Sequence, residues 1–480
     1  MGKNFYAEGN VRMKLQYTYV EPYKIKNGFQ FYGGYVFSDI SKNKKFLLNN
    51  KTGSSIVISK DLFKDIIDRN CNEDLVFKLV QRGLGSFAKS REVYDHSTKI
   101  LPTLFLIDLT SKCNLNCLYC FRVNEELSKS QSMSPDLIDQ ICNYIVDYCH
   151  NNNLSEINIQ LWGGEPLLCL QSIKRVKTFF DDTDIHAILS IETNGTLISK
   201  KIAKDLYENH IQVGISIDGK ESLQNLQRPQ INGKGSFDLL IGGIKNLKES
   251  GFNNKFGTIT VVTQNTLIYF EEIIDYFVKT LNVQNIKFNL MKDVETNNNC
   301  SNLVLSDDKI EHFVNVVIKK VIQLNKMGYS INEGNILQKI ANLISGKRYN
   351  VCNSNGCCGG KSMLSFGRDG GIYPCELTQN PELKICSLED KDLIMNIKKN
   401  LESNPYFTPK VSDECMNCPW YAYCKGGCTS SALYKNLPLG SIDNLECKLN
   451  KVLYGELVNM ILNDPLSIFH LSNGQHSIQN

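Results

Sequence analysis

What this 480-residue sequence has little of narrows its class first. Charge of one sign is missing: 53 Lys plus Arg stand against 50 Asp plus Glu, a formal net charge of +3. There is no whole-chain field of the kind that marks nucleic-acid binders, so no nucleic-acid partner is expected. Long hydrophobic runs are missing too. Nothing approaches the roughly 18 uninterrupted apolar residues of a membrane span, and Met1 to Lys14 is polar and charged with no apolar core. The expectation is a soluble, cytoplasmic protein, neither exported nor in a membrane. The 7 histidines show no metal-binding spacing.

Cysteine is what the sequence has in excess. Eighteen of them in a small secreted chain would read as disulfides. Here the chain is long and the cysteines cluster at short spacings, so metal ligation is the better reading. The length accommodates two or three domains, each with its own core.

The chain divides by pattern. Residues 1–98 hold apolar β-rich stretches (Tyr32 to Phe37, Lys45 to Leu48, Ser55 to Ile58), then helical patterns near Asp61 to Asp68 and Asp74 to Gln81. Over 99–305, apolar runs alternate with amphipathic segments. The runs are Leu104 to Leu109, Ile157 to Trp162, Ile188 to Glu192, Val213 to Ile217, Thr258 to Val262 and Ile286 to Leu290. Helix-length stretches between them (Pro135 to Cys149, Ser172 to Phe180, Ser199 to Asn209, Phe237 to Ser250, Tyr269 to Thr280) predict parallel βαβ units with right-handed crossovers. In a parallel barrel, residues just after each strand gather at one face. Cys113 to Cys120, Gly163 to Pro166, Glu192 to Gly195, Asp218 to Gly219 and Asn289 all fall at such points. A helical bridge spans 306–351. Residues 352–465 carry ten cysteines among turn formers, too little regular apolar pattern to hold together without metal. The tail, 466–480, is polar and expected to fray.

Cys113-Asn-Leu-Asn-Cys117-Leu-Tyr-Cys120 places three thiols on a short loop after an apolar strand. Structural zinc takes four closed ligands, and no fourth Cys or His is near in sequence. Three ligands leave one iron of a four-iron cluster open. This Cys-x3-Cys-x2-Cys loop with an aromatic before its last cysteine resembles the signature of the radical S-adenosylmethionine (SAM) superfamily. The resemblance implies a partial (β/α)6 barrel. It also implies a 4Fe-4S cluster whose open iron binds SAM and cleaves it, on reduction by a flavodoxin or ferredoxin, to a 5′-deoxyadenosyl radical. Gly163-Gly164-Glu165-Pro166, an ordinary turn if met alone, resembles the family's motif for the SAM amino group, where small residues admit close backbone approach. Glu192, Asn194 and Ser216, with Arg228 twelve residues after Ser216, look like the family's ribose and carboxylate contacts. The Arg fork suits a carboxylate. Tyr119 is read either as an adenine cover or as a core aromatic.

Cys358-x11-Gly370-x4-Cys375, then Cys415-x2-Cys418-x5-Cys424-x3-Cys428, then Cys447 resembles the SPASM domain, which carries two auxiliary 4Fe-4S clusters and brings the total to three. Zinc ribbons are the plainer reading of the Cys-x2-Cys pair. By resemblance the first set is Cys352, Cys358, Cys375 and Cys428, and the second Cys415, Cys418, Cys424 and Cys447. Cys357 beside Cys358 leaves that ligand open. Glu376 stands where sulfatase-maturating relatives place a proton-accepting aspartate; a longer carboxylate there is either functional with changed geometry or simply solvated.

Asn49-Asn50-Lys-Thr-Gly53 between two apolar strands, followed by helices ending at Gly83-Leu-Gly85, looks like the small winged-helix (RRE-type) modules that capture leader peptides by adding a strand to a sheet edge; a barrel cap is the alternative. The resemblance implies a peptide maturase that abstracts hydrogen from a ribosomally made precursor and closes a thioether or carbon-carbon crosslink. Formylglycine formation in a sulfatase, or peptide epimerisation, are its rivals.

Overall fold

The computed structural model describes residues 16–25, 29–38, 43–87, 100–122, 131–253, 255–292, 300–345, 352, 356–404, 406, 411–434, 437–438 and 441–476. The junction expected near 98, the end of the bridge at 346–351 and the last four residues of the tail lie outside them.

Among the described residues seven short strands come first: β1 (Gln16–Val20), β2 (Tyr23–Lys24), β3 (Phe29–Phe31), β4 (Gly34–Ser38), β5 (Lys44–Leu48), β6 (Ser55–Ser59) and β7 (Gly85–Phe87). They form an antiparallel sheet β1-β4-β5-β6 and a smaller one β2-β3-β7. The Asn49 carboxamide closes the β5–β6 hairpin, accepting from the Lys51 and Thr52 amides at 2.9 Å. Gly85 allows β7 to reach β3: a Cβ there would lie 2.4 Å from the Phe29 ring. Alternation splits the larger sheet into two buried faces. Val36, Leu47 and Ile58 pack with the helices Lys60–Ile67 and Glu73–Gln81. Tyr35, Phe37, Phe46 and Leu48 join the core of the rest of the molecule. One face of the N-terminal sheet is therefore packed into the body.

The six apolar runs form β8 (Leu104–Thr110), β9 (Glu156–Gly163), β10 (His186–Thr193), β11 (Gln212–Ser216), β12 (Gly257–Val262) and β13 (Asn285–Leu290), parallel and in chain order. Helices return between them. Pro135–Asn151 starts at Ser134, whose hydroxyl accepts from the Leu137 amide, with Pro at the first turn. Lys200–Glu208 starts the same way at Ser199. Along β9, Ile157, Ile159 and Leu161 are fully buried against the helices, while Asn158 and Gln160 face the other way. β13 alternates likewise, with Lys287 and Asn289 opposite Ile286 and Phe288. The lumen is thus polar and open.

The sheet continues past the expected end of the barrel. β14 (Asn332–Glu333) pairs with β13, and β15 (Met363–Phe366), β16 (Gly371–Tyr373) and β17 (Cys386–Ser387) extend it beyond β8, giving ten strands. The C-terminal region thus has regular structure after all. Its long helix Asn444–Asn463 buries Leu453, Tyr454 and Leu457. The start of the tail, expected to fray, is ordered: Pro465–Leu471 is a helix with Ile468 and Leu471 fully buried, tied to Asn325 by its His470 carbonyl at 2.7 Å. No helix among the described residues is long and apolar enough to cross a membrane.

Candidate active site

The polar motifs at the strand ends meet through their own hydrogen bonds. Glu165 Oε1 accepts from the Thr193 hydroxyl at 2.7 Å and the Leu167 amide at 3.0 Å, and Oε2 from the Asn194 amide at 2.8 Å. Asn194 Nδ2 donates to Asn114 Oδ1 at 2.8 Å, and Asn114 Nδ2 to the Thr196 hydroxyl at 2.8 Å, locking the cysteine loop to the end of β10. The same loop pairs with the segment after β11, through the Asn116 amide to Pro229 and the Leu118 amide to Gln227. Four strand ends are thereby held together.

Cys113, Cys117 and Cys120 stand as mutual electrostatic neighbours on this loop. Burial pushes the Cys113 thiol up to about 11 and Cys117 up to about 12, with Arg228 opposing the rise at Cys117. A buried thiol ionises only against positive charge, which a metal centre supplies. Three neighbouring thiols on one loop fit a cluster held by three ligands.

Gly163 and Gly164 are required by the chain itself. A Cβ on either would lie 2.3 Å from the carbonyl of Thr110 or Lys112, so these glycines let β9 press against the cysteine loop. Pro166 opens the short turn that Glu165 caps. Glu192 is exposed by area yet surrounded by protein, as befits a lumen-lining side chain. Burial raises its carboxyl, with Lys287 and a hydrogen bond from Gln160 opposing. Ser216 ends β11, half-buried.

Arg228 meets a carboxylate of the chain itself. Its fork is already engaged: Nε donates to Asp218 Oδ2 at 2.9 Å and Nη2 to Oδ1 at 3.3 Å, with the guanidinium 5.3 Å above the Tyr119 ring. Tyr119 in turn donates its hydroxyl to Asp218, and its ring packs beside Met291 and Leu303. Arg228 thus lies beside Cys117, with Asp218 as its carboxylate partner. Asp218, placed by the sequence at a strand end but given no role of its own, is fully buried ten residues before Arg228.

The C-terminal cysteines fall into two groups. Cys415, Cys418, Cys424 and Cys447 line a single cavity with Trp420, Tyr421 and Lys451. Among the described residues no three His, Cys, Asp or Glu side chains are gathered closely enough to hold a single metal ion; these four surround a space instead. The other group holds Cys352, Cys357, Cys358, Cys375 and Cys428. Cys352 Sγ lies 3.3 Å from Cys358 Sγ, and Cys357 neighbours Cys352, Cys375 and Cys428. Both Cys357 and Cys358 reach the group. Glu376 is not a solvated carboxylate: its Oε2 is buried without a hydrogen-bond partner, and burial with Glu192 nearby raises its carboxyl against Lys292 and Lys287. It faces the lumen.

Asp108, in the middle of β8, joins the two halves. It pairs with Arg122 at 2.9 Å, just past the cysteine loop, and with Arg368 at 3.1 Å, from the C-terminal region.

Residues 107–277 match the radical SAM superfamily. The chain belongs to that superfamily. As a radical SAM enzyme it cleaves SAM at an iron-sulfur cluster. It is 27% identical over 368 residues to a cysteine-type anaerobic sulfatase-maturating enzyme of Clostridium novyi, covering 73% of this chain and 94% of the relative. The fold resembles anSMEcpe with bound AdoMet (TM-score 0.64, 24% identity, 75% of this chain and 100% of that one). It also resembles Streptococcus suis SuiB bound to precursor peptide SuiA (TM-score 0.51, 15% identity, 88% and 99%).

Proposed function

We propose that this radical SAM enzyme is a peptide maturase that crosslinks a ribosomally made precursor, forming a thioether or carbon-carbon bond. The observation that carries the reading is the junction at β8: the cysteine loop leaves one end of that strand while β15 leads the C-terminal cysteines along its edge. Hydrogen abstraction and removal of the remaining electron are thereby housed at one lumen. SAM is assigned to Cys113, Cys117 and Cys120 with the Gly163–Pro166 turn. The first auxiliary cluster is assigned to Cys352, Cys358, Cys375 and Cys428, and the second to Cys415, Cys418, Cys424 and Cys447. When bound, the SAM cluster supplies a one-electron cleavage whose radical takes hydrogen from unactivated carbon.

This chain's residues do the rest. The Glu165–Asn194–Asn114 network holds the loop rigid, and Arg228 places positive charge beside Cys117. Glu192, Gln160, Lys287 and Glu376 give the lumen polar groups of both signs for an extended peptide. Glu376 is positioned to take the proton released as the product bond closes. The N-terminal sheet, a winged-helix-like module in this reading, supplies an exposed edge on which a leader adds as a strand. Its support includes the share of this chain covered, which rises from 75% with anSMEcpe to 88% with peptide-bound SuiB.

The deciding experiment is mass spectrometry of a candidate precursor after anaerobic reaction. Loss of two hydrogens per event is expected, and removal of the leader should slow the reaction while SAM cleavage continues. A second reading, formylglycine formation, is favoured by the 94% coverage of the Clostridium novyi enzyme. It would be read as an aldehyde trapped on a sulfatase peptide.

A further inference from the structure

In the first C-terminal cysteine group a chain of buried hydroxyls ends on sulfur. Ser430 Oγ lies 3.7 Å from Cys375 Sγ, and the Tyr406 hydroxyl lies 3.1 Å from Ser430 Oγ. All three residues are buried. Ser430 is brought there by the helix Thr429–Tyr434, which begins directly after Cys428. Thr378 approaches the same sulfur at 3.5 Å, but its hydroxyl is committed to the backbone: Oγ1 donates to the Cys375 carbonyl at 2.9 Å and accepts from the Cys375 amide at 3.0 Å. In the second group Cys424 Sγ is met by an amide instead, Asn450 Nδ2 at 3.5 Å, which also faces Glu446 Oε1 at 3.4 Å.

A hydroxyl has one proton to give, so the state of Cys375 sets the direction of this chain. A thiolate bound to metal carries no proton, and Ser430 must then donate to the sulfur. With its proton spent, the Ser430 oxygen can only accept, and Tyr406 must donate to it. Hydrogen bonds aligned in one direction polarise one another, and burial strengthens each of them. Reduction potentials of iron-sulfur groups follow net charge, hydrogen bonds to the sulfurs and solvent exposure. One-electron reduction adds a negative charge and moves no proton along the chain, so a donor aimed at a ligand sulfur favours the reduced state. We propose that Ser430, its proton aimed by Tyr406, is a positioning residue that raises the reduction potential of the cluster held by Cys375. This rests on the reading that the first cysteine group ligates an auxiliary cluster, and it names the residues that tune it.

The test uses full-length, anaerobically reconstituted enzyme in which Cys113, Cys117 and Cys120 are all alanine, so that only C-terminal signals remain in an EPR-monitored redox titration. Ser430→Ala should lower one midpoint by the equivalent of a tenfold change in the reduced-to-oxidised ratio, about 59 mV for one electron. Iron content and the other midpoint should be unchanged. Ser430→Thr keeps the hydroxyl and should keep the wild-type midpoint. Tyr406→Phe should lower the same midpoint by less, and adding it to Ser430→Ala should give no further shift, because Tyr406 acts through Ser430. Full iron with an unmoved midpoint in Ser430→Ala overturns the proposal, and so does an equal shift of both signals. Should Ser430→Ala fail to load iron, Tyr406→Phe decides: a lowered midpoint supports the proposal and an unmoved one overturns it. Absence of any C-terminal iron in the parent would instead overturn the auxiliary-cluster reading itself.

Discussion

The barrel mouth and the C-terminal cysteine groups solve the same problem, holding thiols in place, by different means. At the mouth, Glu165, Asn194 and Asp218 are each met by another loop of the same chain. The loop geometry is therefore set by protein hydrogen bonds before anything binds. In the C-terminal region burial pushes Cys418 up to about 11, Cys424 up to about 12 and Cys375 well above the usual thiol range, and Glu376 Oε2 is buried without a partner. Groups buried that way are costly unless a bound cation meets them. The mouth is preorganised; in the proposed reading the C-terminal sites would gain stability from what they hold.

The sharpest way to break this contrast is to remove ligands from the mouth. Cys113, Cys117 and Cys120 replaced together by alanine should abolish formation of 5′-deoxyadenosine by the reduced enzyme. The fold and the C-terminal iron should remain, as iron assay and circular dichroism would read. Retained SAM cleavage would remove the central assignment.

A smaller effect probes the protein network itself. Asp218 accepts from Arg228, Tyr119, Gln227 and the Val261 amide, so Asp218→Ala strands a buried guanidinium at a cost on the order of 3–5 kcal/mol. Thermal unfolding should show a clear fall in midpoint. If Arg228 serves the cysteine loop beside Cys117, SAM affinity measured on folded Asp218→Asn should fall with it. If Arg228 instead binds the SAM carboxylate directly, freeing its fork should leave affinity equal or tighter.

The strand ends were legible because each follows an apolar run long enough to fix a strand, and a parallel sheet then collects them. Partners set by tertiary structure were not legible. The Arg228 fork reads as a carboxylate binder, and only the fold reveals that Asp218 has taken it. Met363–Phe366 is four residues long, too short to announce itself as the neighbour of β8 far upstream. The run Tyr35-Val36-Phe37 shows apolar character without saying that its two faces bury against different bodies. Lys287 belongs to no motif, and only the alternation of β13 places it opposite Ile286 and Phe288, near Glu192.

That two-faced sheet supplies the mildest test, and it changes how the N-terminal module must be probed. Deleting residues 1–98 would strip Phe37 from its stack on Trp420, 5.1 Å between ring centres, and take Gly53 from the Tyr423 hydroxyl at 2.9 Å. Loss of activity would then report damage to the second cysteine group rather than loss of a leader site. Asn50 offers a gentler cut: its Nδ2 donates to the carbonyls of Met416 at 3.1 Å and Cys418 at 3.2 Å, joining the hairpin to a proposed cluster loop. Asn50→Ala should cost about 1–3 kcal/mol. It should broaden or shift one auxiliary EPR signal while SAM cleavage stays at the wild-type rate. Equal disturbance of both C-terminal signals would mean that the sheet braces the whole region. An unchanged spectrum would mean that the N-terminal module can be altered without cost to the cysteines, and deletion would again be a fair test of leader binding.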